Sequence, residues 1–183
     1  RLMAMEGVVT MVEAEEDQEA LTALCAETLA GAMAQVERMR LAEGSALSAD
    51  LTAHLNAVEA LRQSIGQRAP LVVADYRARL TERLNRLPIE PVEPPRLAQE
   101  VALLADRCAI DEELSRLDSH IRQMRTYLTA EGEIGKKLDF LIQEMNREAN
   151  TIGSKASDAA IAQYVVDLKS EIEKLREQIQ NVE

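Results

Sequence analysis

The sequence predicts an all-α protein of long antiparallel helices, and three observations carry that prediction. Only 2% of the 183 residues are aromatic while 46% are hydrophobic, so a core must be built of Leu, Val, Ile, Ala and Met. With abundant Glu, Arg and Gln around them, these residues form helices rather than strands. Leu138, Leu141, Ile142, Met145, Ala149 and Ile152 recur at spacings that hold them within roughly 100° of arc on a helix. Four of the five prolines fall within residues 88–95, which gathers the breaks into one place.

A first helix is expected from Asp17, a suitable N-cap, to Glu43, with Gly44-Ser45 ending it. Leu21, Leu24, Thr28, Leu29, Ala32 and Val36 make its inner face. A second starts near Ser48 and carries Leu51, Leu55, Val58, Leu61 and Ile65 at helical spacing. Gly66 and Pro70 should break or kink it before it resumes to Leu87. The two would pair as an antiparallel helical hairpin over residues 1–87. Residues 88–95 read as an extended proline-rich linker and the internal domain boundary. A third helix is expected from Pro95 to Ala130, striped by Leu103, Ile110, Leu114, Leu117, Ile121, Met124 and Leu128. Glu131-Gly132 marks a turn, and the fourth helix spans Gly135 to Lys155. The fifth begins at Asp158. Its Ile161, Val165, Leu168, Ile172, Leu175 and Ile179 alternate by four and three, a heptad seam suited to its own chain's core or to a second chain. Residues 96–183 thus form a C-terminal helical domain, with oligomerisation as its expected role.

The formal net charge of −11 argues against a nucleic-acid partner, because phosphates call for a basic surface. Residues 1–95 hold 9 basic and 15 acidic side chains and residues 96–183 hold 12 and 17, so neither half escapes the excess. Only the span 116–155 approaches balance, with seven basic against six acidic residues. Cys25 and Cys108 have no metal-ligand spacing and suit small buried hydrophobes in a reducing cytoplasm. No apolar run reaches membrane-span length. There is no Gly-rich nucleotide loop, nucleophile elbow or zinc pattern.

The fourth helix surrounds its apolar stripe with proton-moving and hydrogen-bonding groups. Asp139, Gln143, Asn146 and Asn150 lie on one flank and Glu144, Glu148, Thr151 and Lys155 on the other, with Arg147 and Ser154 opposite the stripe. Gln, Asn and Thr form helices less readily than Ala, so a surface without duties would not choose them. The run Gly135-Lys136-Lys137-Leu138-Asp139-Phe140-Leu141-Ile142-Gln143-Glu144-Met145-Asn146-Arg147-Glu148-Ala149-Asn150 carries a resemblance. So do Arg96-Leu97-Ala98-Gln99-Glu100, Glu112-Glu113-Leu114-Ser115-Arg116 and the ending Arg176-Glu177-Gln178-Ile179-Gln180-Asn181-Val182-Glu183. Together they resemble the bacterial YicC family over residues 96–183. Residues 1–95 resemble it more loosely, and a family domain is expected before Arg1.

The resemblance implies a metal-dependent endoribonuclease acting on RNA and built as a homo-oligomer, with a hexamer as the expected form. RNA can be cut with a carboxylate-held Mn²⁺ or Mg²⁺, or by a general base acting on the 2′-OH. For the first route the candidate ligands are Asp139, Glu144 and Glu148. For the second the catalytic candidates are His120 and Glu113, seven residues apart on the same side of the third helix. Arg147, Asn150, Ser154 and Lys155 are candidate RNA contacts, as are Lys136 and Lys137 at the start of the fourth helix, where free N–H groups favour phosphate. The opposing reading makes Glu144 and Glu148 ion-pair partners on a solvated face and the lysines ordinary solubilising residues. His54 reads as a surface or helix-contact residue. One departure stands out: Ala109 occupies a position where family members usually have Asp, and Asp111 points to another face. A noncatalytic RNA-binding adaptor and a purely structural oligomerisation scaffold are the rival readings.

Overall fold

The computed structural model describes residues 17–87, 92–130, 132 and 134–180. Among them are five helices and no strand: α1 (Gln18–Arg86), α2 (Pro94–Arg107), α3 (Asp111–Leu128), α4 (Gly135–Lys155) and α5 (Ala159–Ile179). The all-α expectation holds. By contacts the chain divides into two units, Arg1–Glu43 and Gly44–Glu183.

In the first unit the described residues are helical. Asp17 caps the helix as expected, its Oδ1 accepting from the N–H groups of Glu19 and Ala20 at 3.1 Å each. The face expected to be inner is not buried: Leu21, Leu24, Leu29 and Val36 are all exposed, and so is Cys25.

The second unit is an alternating four-helix bundle with α2 beside it. Asp50, His54 and Arg68 of α1 meet Gln178, Glu171 and Asp158 of α5. Glu59 and Arg62 of α1 meet Arg125 and Asp118 of α3. In both cases numbers rise on one helix as they fall on the other, so α1 is antiparallel to each. Lys155 reaching Glu113 and Lys137 lying over Tyr127 make α4 antiparallel to α3. Residues 156–158 turn α4 straight back into α5.

The core takes Leu51, Leu55, Val58, Ile65 and Val72 from α1 and the whole expected stripe of α4. It also takes Leu114, Leu117, Ile121 and Met124 from α3, and all six seam residues of α5. Of the two readings left open for the heptad seam, the chain's own core is therefore the correct one. Leu168, Ile172 and Leu175 are entirely inaccessible, and each such burial is worth roughly 1.5–3 kcal/mol. Gly153 lets α4 and α5 close, since a Cβ there would sit 3.1 Å from Val165 Cγ1.

Three expected boundaries differ. The chain does not leave the helix at Gly44-Ser45, and neither Gly66 nor Pro70 interrupts it, so the two predicted helices are one. The hairpin expected in this region has no turn between Gln18 and Arg86. From residue 51 onward the helix is held by its buried face, which overrides weak breakers. The predicted third helix is two, parted at Cys108–Ile110. There Ile110 turns into the core with 2% exposure, and the acidic run Asp111-Glu112-Glu113 starts a fresh helix, where negative charge is favoured. The proline-rich linker lies mostly outside the described residues; Pro94 and Pro95 open α2 at its first two positions. The fourth and fifth helices match expectation, and Asp158 caps α5 through the N–H groups of Ala160 and Ile161.

Candidate functional site

Three of the polar residues singled out in the sequence, Glu113, Glu148 and Lys155, come to the seam between α3 and α4. Glu113 and Glu148 are the two charged residues classed as buried among the described residues, 7% and 6% exposed. Glu113 sits one turn into α3, on the side that faces α4. Lys155, in the last turn of α4, donates to Glu113 Oε1 at 2.7 Å. Burial opposes ionisation of Glu113, but the Lys155 ammonium, the residue's own backbone N–H and Arg116 outweigh it and hold the carboxyl below its ordinary range. Its second oxygen, Oε2, is buried without a hydrogen-bond partner.

Glu148 faces Arg116 of α3, with Nη1 to Oε1 at 3.7 Å, and Arg116 is bonded more closely to Glu112 on its own helix. The carboxylate of Glu148 is thus buried with one long ion-pair contact, which leaves acceptor capacity unused. One turn beyond Arg116, and seven residues after Glu113, lies His120, half-buried. Its Nδ1 is buried and has no partner. Such orphaned atoms are uncommon in folded proteins. Here Glu113 Oε2 and His120 Nδ1 lie about two turns apart on one side of α3.

The remaining candidates are dispersed. Glu144 is engaged by Arg147 of its own helix at 2.7 Å. Asp139 is exposed, accepts from Gln143 at 2.8 Å, and lies about 140° around α4 from Glu144. No three His, Cys, Asp or Glu among the described residues could together hold an ion. The single chain's described donors therefore do not fit a metal centre, and Asp139 is not brought to Glu144 and Glu148. Asn150 and Ser154 are exposed, Ser154 donating to the Thr151 carbonyl. Lys155 is committed to Glu113. Lys136 and Lys137 are exposed at the start of α4, Lys137 Nζ lying 5.6 Å from the centre of the Tyr127 ring. Ala109 is exposed in the break before α3, four residues ahead of Glu113. His54 is the helix-contact residue expected of it, its Nδ1 2.7 Å from Glu171.

Two features escaped the sequence reading. Arg116 bridges Glu112 to Glu148; its spacing from Glu112 signals only the first contact. Arg68 joins Asp158, the α5 cap, to Asp75 with 2.7 Å contacts to each. Nothing in sequence spacing links residues ninety apart.

With this geometry in place, comparison with known proteins gives a consistent result. Residues 65–183 match the family described as endoribonuclease YicC-like, C-terminal. The chain is 43% identical over 178 residues to the probable endoribonuclease YicC of Clostridioides difficile (strain 630), covering 96% of this chain and 61% of that protein. It is 39% identical over 145 residues to the probable endoribonuclease YicC of Haemophilus influenzae, covering 79% and 50%. The chain thus spans between half and two thirds of the length of these curated relatives. No helix among the described residues is long and apolar enough to cross a membrane. The chain belongs to the YicC-like endoribonuclease family.

Proposed function

We propose that this chain is part of an RNA endonuclease and that the α3–α4 seam is its reaction face. One observation carries the reading beyond the family likeness: two buried carboxylates, Glu113 and Glu148, lie along the seam, and one turn past Arg116 stands His120, whose buried Nδ1 has no partner among the described residues. Burying carboxylates is unfavourable unless cations offset the loss of water; Lys155 does so for Glu113, while Glu148 has only the 3.7 Å contact to Arg116. Sites that hold or move protons and charge are built of such groups.

In this reading His120 takes the proton of the attacking hydroxyl, and Lys155 and Arg116 face the charge that develops on the phosphoryl oxygens. Arg147, Asn150 and Ser154 lie on the exposed side of α4, where they reach the flanking strand. Lys136 and Lys137 take phosphates at the other end of the seam. The proposal includes dependence on Mn²⁺ or Mg²⁺, supported by the family likeness and by the spare acceptor capacity of Glu113 and Glu148. The described donors of one chain do not by themselves form a set for the ion. It also includes a homo-oligomer, expected to be hexameric, acting in the cytoplasm.

The test is cleavage of an end-labelled RNA by the intact protein, with and without EDTA, and by Glu148→Gln and His120→Gln. Glu148→Gln keeps size and hydrogen bonding but removes a charge. Both variants should lower the rate at least about tenfold, or about 1.4 kcal/mol in barrier, with RNA affinity kept. Undiminished cleavage in EDTA removes the cation, and a 2′,3′-cyclic phosphate product formed there assigns His120 as the base. Binding without any product supports the adaptor reading instead.

A further inference from the structure

Where α3 ends and α4 begins, Gln123, Tyr127, Lys136, Lys137, Phe140 and Leu141 line an open depression of about 260 Å³. The chain is sparing with aromatics: one Phe, three Tyr and no Trp. Its single Phe is not in the core. Phe140 is 59% exposed, on the rim of this depression, with Tyr127 half-buried in the same wall. Both charged residues of the lining are cations, in a chain whose net charge is −11. Lys137 lies over the Tyr127 ring, a cation–π contact that fixes the ring's aspect, and Lys136 makes no ion pair with a described residue. The nearest described acid along α4, Asp139, is turned to Gln143.

An exposed aromatic surface beside lysines is an arrangement that takes single-stranded nucleic acid. Every base has a π-face to stack, and every linkage has a charge to neutralise. Resting on the RNA reading above, we propose that this depression is a stacking subsite for an unpaired nucleotide. The base lies against Phe140 and Tyr127, and the adjoining phosphates lie on Lys136 and Lys137. A duplex cannot use it, because its bases are already stacked on one another. The subsite therefore makes the substrate class a single-stranded segment, a loop or an unpaired end, held at one end of the α3–α4 seam while the buried carboxylates lie further along it.

The experiment is fluorescence-anisotropy binding of the intact protein to three RNA oligonucleotides of one length: single-stranded, fully paired, and single-stranded with abasic sites. Phe140→Ala should weaken single-strand binding five-fold or more and leave the slope of affinity against salt unchanged. Phe140→Trp should restore it, and abasic RNA should bind wild type and Phe140→Ala alike. The double change Lys136→Gln and Lys137→Gln should instead flatten the salt slope by one to two units. Wild-type single-strand affinity in Phe140→Ala overturns the subsite while leaving the nuclease reading intact, provided wild type binds and cleaves. If wild type neither binds nor cleaves RNA, both fall. A change in sedimentation of Phe140→Ala, without loss of base-dependent binding, makes this face a contact between copies of the chain and overturns the subsite.

Discussion

Asp158→Asn separates two duties of one carboxylate. Asp158 caps α5 through the N–H groups of Ala160 and Ile161, and it receives Arg68 from α1 at 2.7 Å. Asn caps a helix as well as Asp does, so the substitution keeps the cap and removes the ion pair. The Arg68 guanidinium, working against partial burial and helped by the two backbone N–H groups, lowers the Asp158 carboxyl from 3.8 to about 2. Taken at face value a shift of that size is worth roughly 2.5 kcal/mol. Arg68 is partly exposed and keeps Asp75 as a second partner, so solvent screening and re-pairing reduce the expected loss to about 1–2 kcal/mol.

The sign with pH follows from the lowered value. The stabilisation is complete above the unfolded carboxyl's range, near pH 4, and disappears as pH falls through about 2. Urea unfolding followed by far-ultraviolet circular dichroism should show wild type ahead of Asp158→Asn by a constant margin at neutral and mildly acidic pH. That margin should close between about pH 4 and pH 2. Asp158→Ala should lose about 1 kcal/mol more, from the cap. A margin unchanged at the lowest pH, or absent at neutral pH, refutes the assignment of the stabilisation to the Arg68 pair.

Other expectations concern packing and backbone. Leu168→Glu with Ile172→Glu puts two charges at fully buried positions and should abolish cooperative unfolding, measured by loss of helicity; a folded but smaller species in light scattering would return the seam to an interface between chains. Pro70→Ala removes an exposed ring from the interior of α1 and restores a helix hydrogen bond, so the denaturation midpoint should rise by an amount equivalent to about 1–3 kcal/mol. Gly153→Ala gains about 1 kcal/mol of helix propensity but meets Val165 at 3.1 Å, so it should be near neutral alone and stabilising in a Val165→Ala background, as a double-mutant cycle would show.

The sequence was most legible where local and tertiary signals agree. In α4 and α5 the apolar period, the cap at Asp158 and the turn before Gly135 all point the same way, and the observed limits follow. It was misleading where phase survives a break. Leu103 and Ile110 are seven residues apart, so the stripe continues in register across Cys108–Ile110 and periodicity alone does not reveal the corner. At Gly44 the reverse holds: a residue that often stops a helix stands in one that continues. The candidate carboxylates were visible as residue types, but their environment was not. That Glu148 is buried and looks to Arg116, and that Lys155 is taken by Glu113, depends on how α3 lies against α4. The exposure of Phe140 accords with its place off the apolar stripe, but the depression it borders depends on how α3 lies against α4.

The order of the bundle along the chain also has a consequence in time. α3, α4 and α5 follow one another through short turns and can pair as soon as each is made. The buried face of α1 finds its α5 partners only near the far end of the chain, Val72 and Ile179 being about a hundred residues apart. At roughly 5–20 residues per second, α3 reaches α1 first, through Asp118 and Arg125, and the α5-facing part of this face stays uncovered for roughly 5–20 s. During that interval a finished amphipathic helix waits without one of its two partners. Translation speed and chaperone supply, more than the final stability of the bundle, then set how much of the newly made chain reaches the folded state.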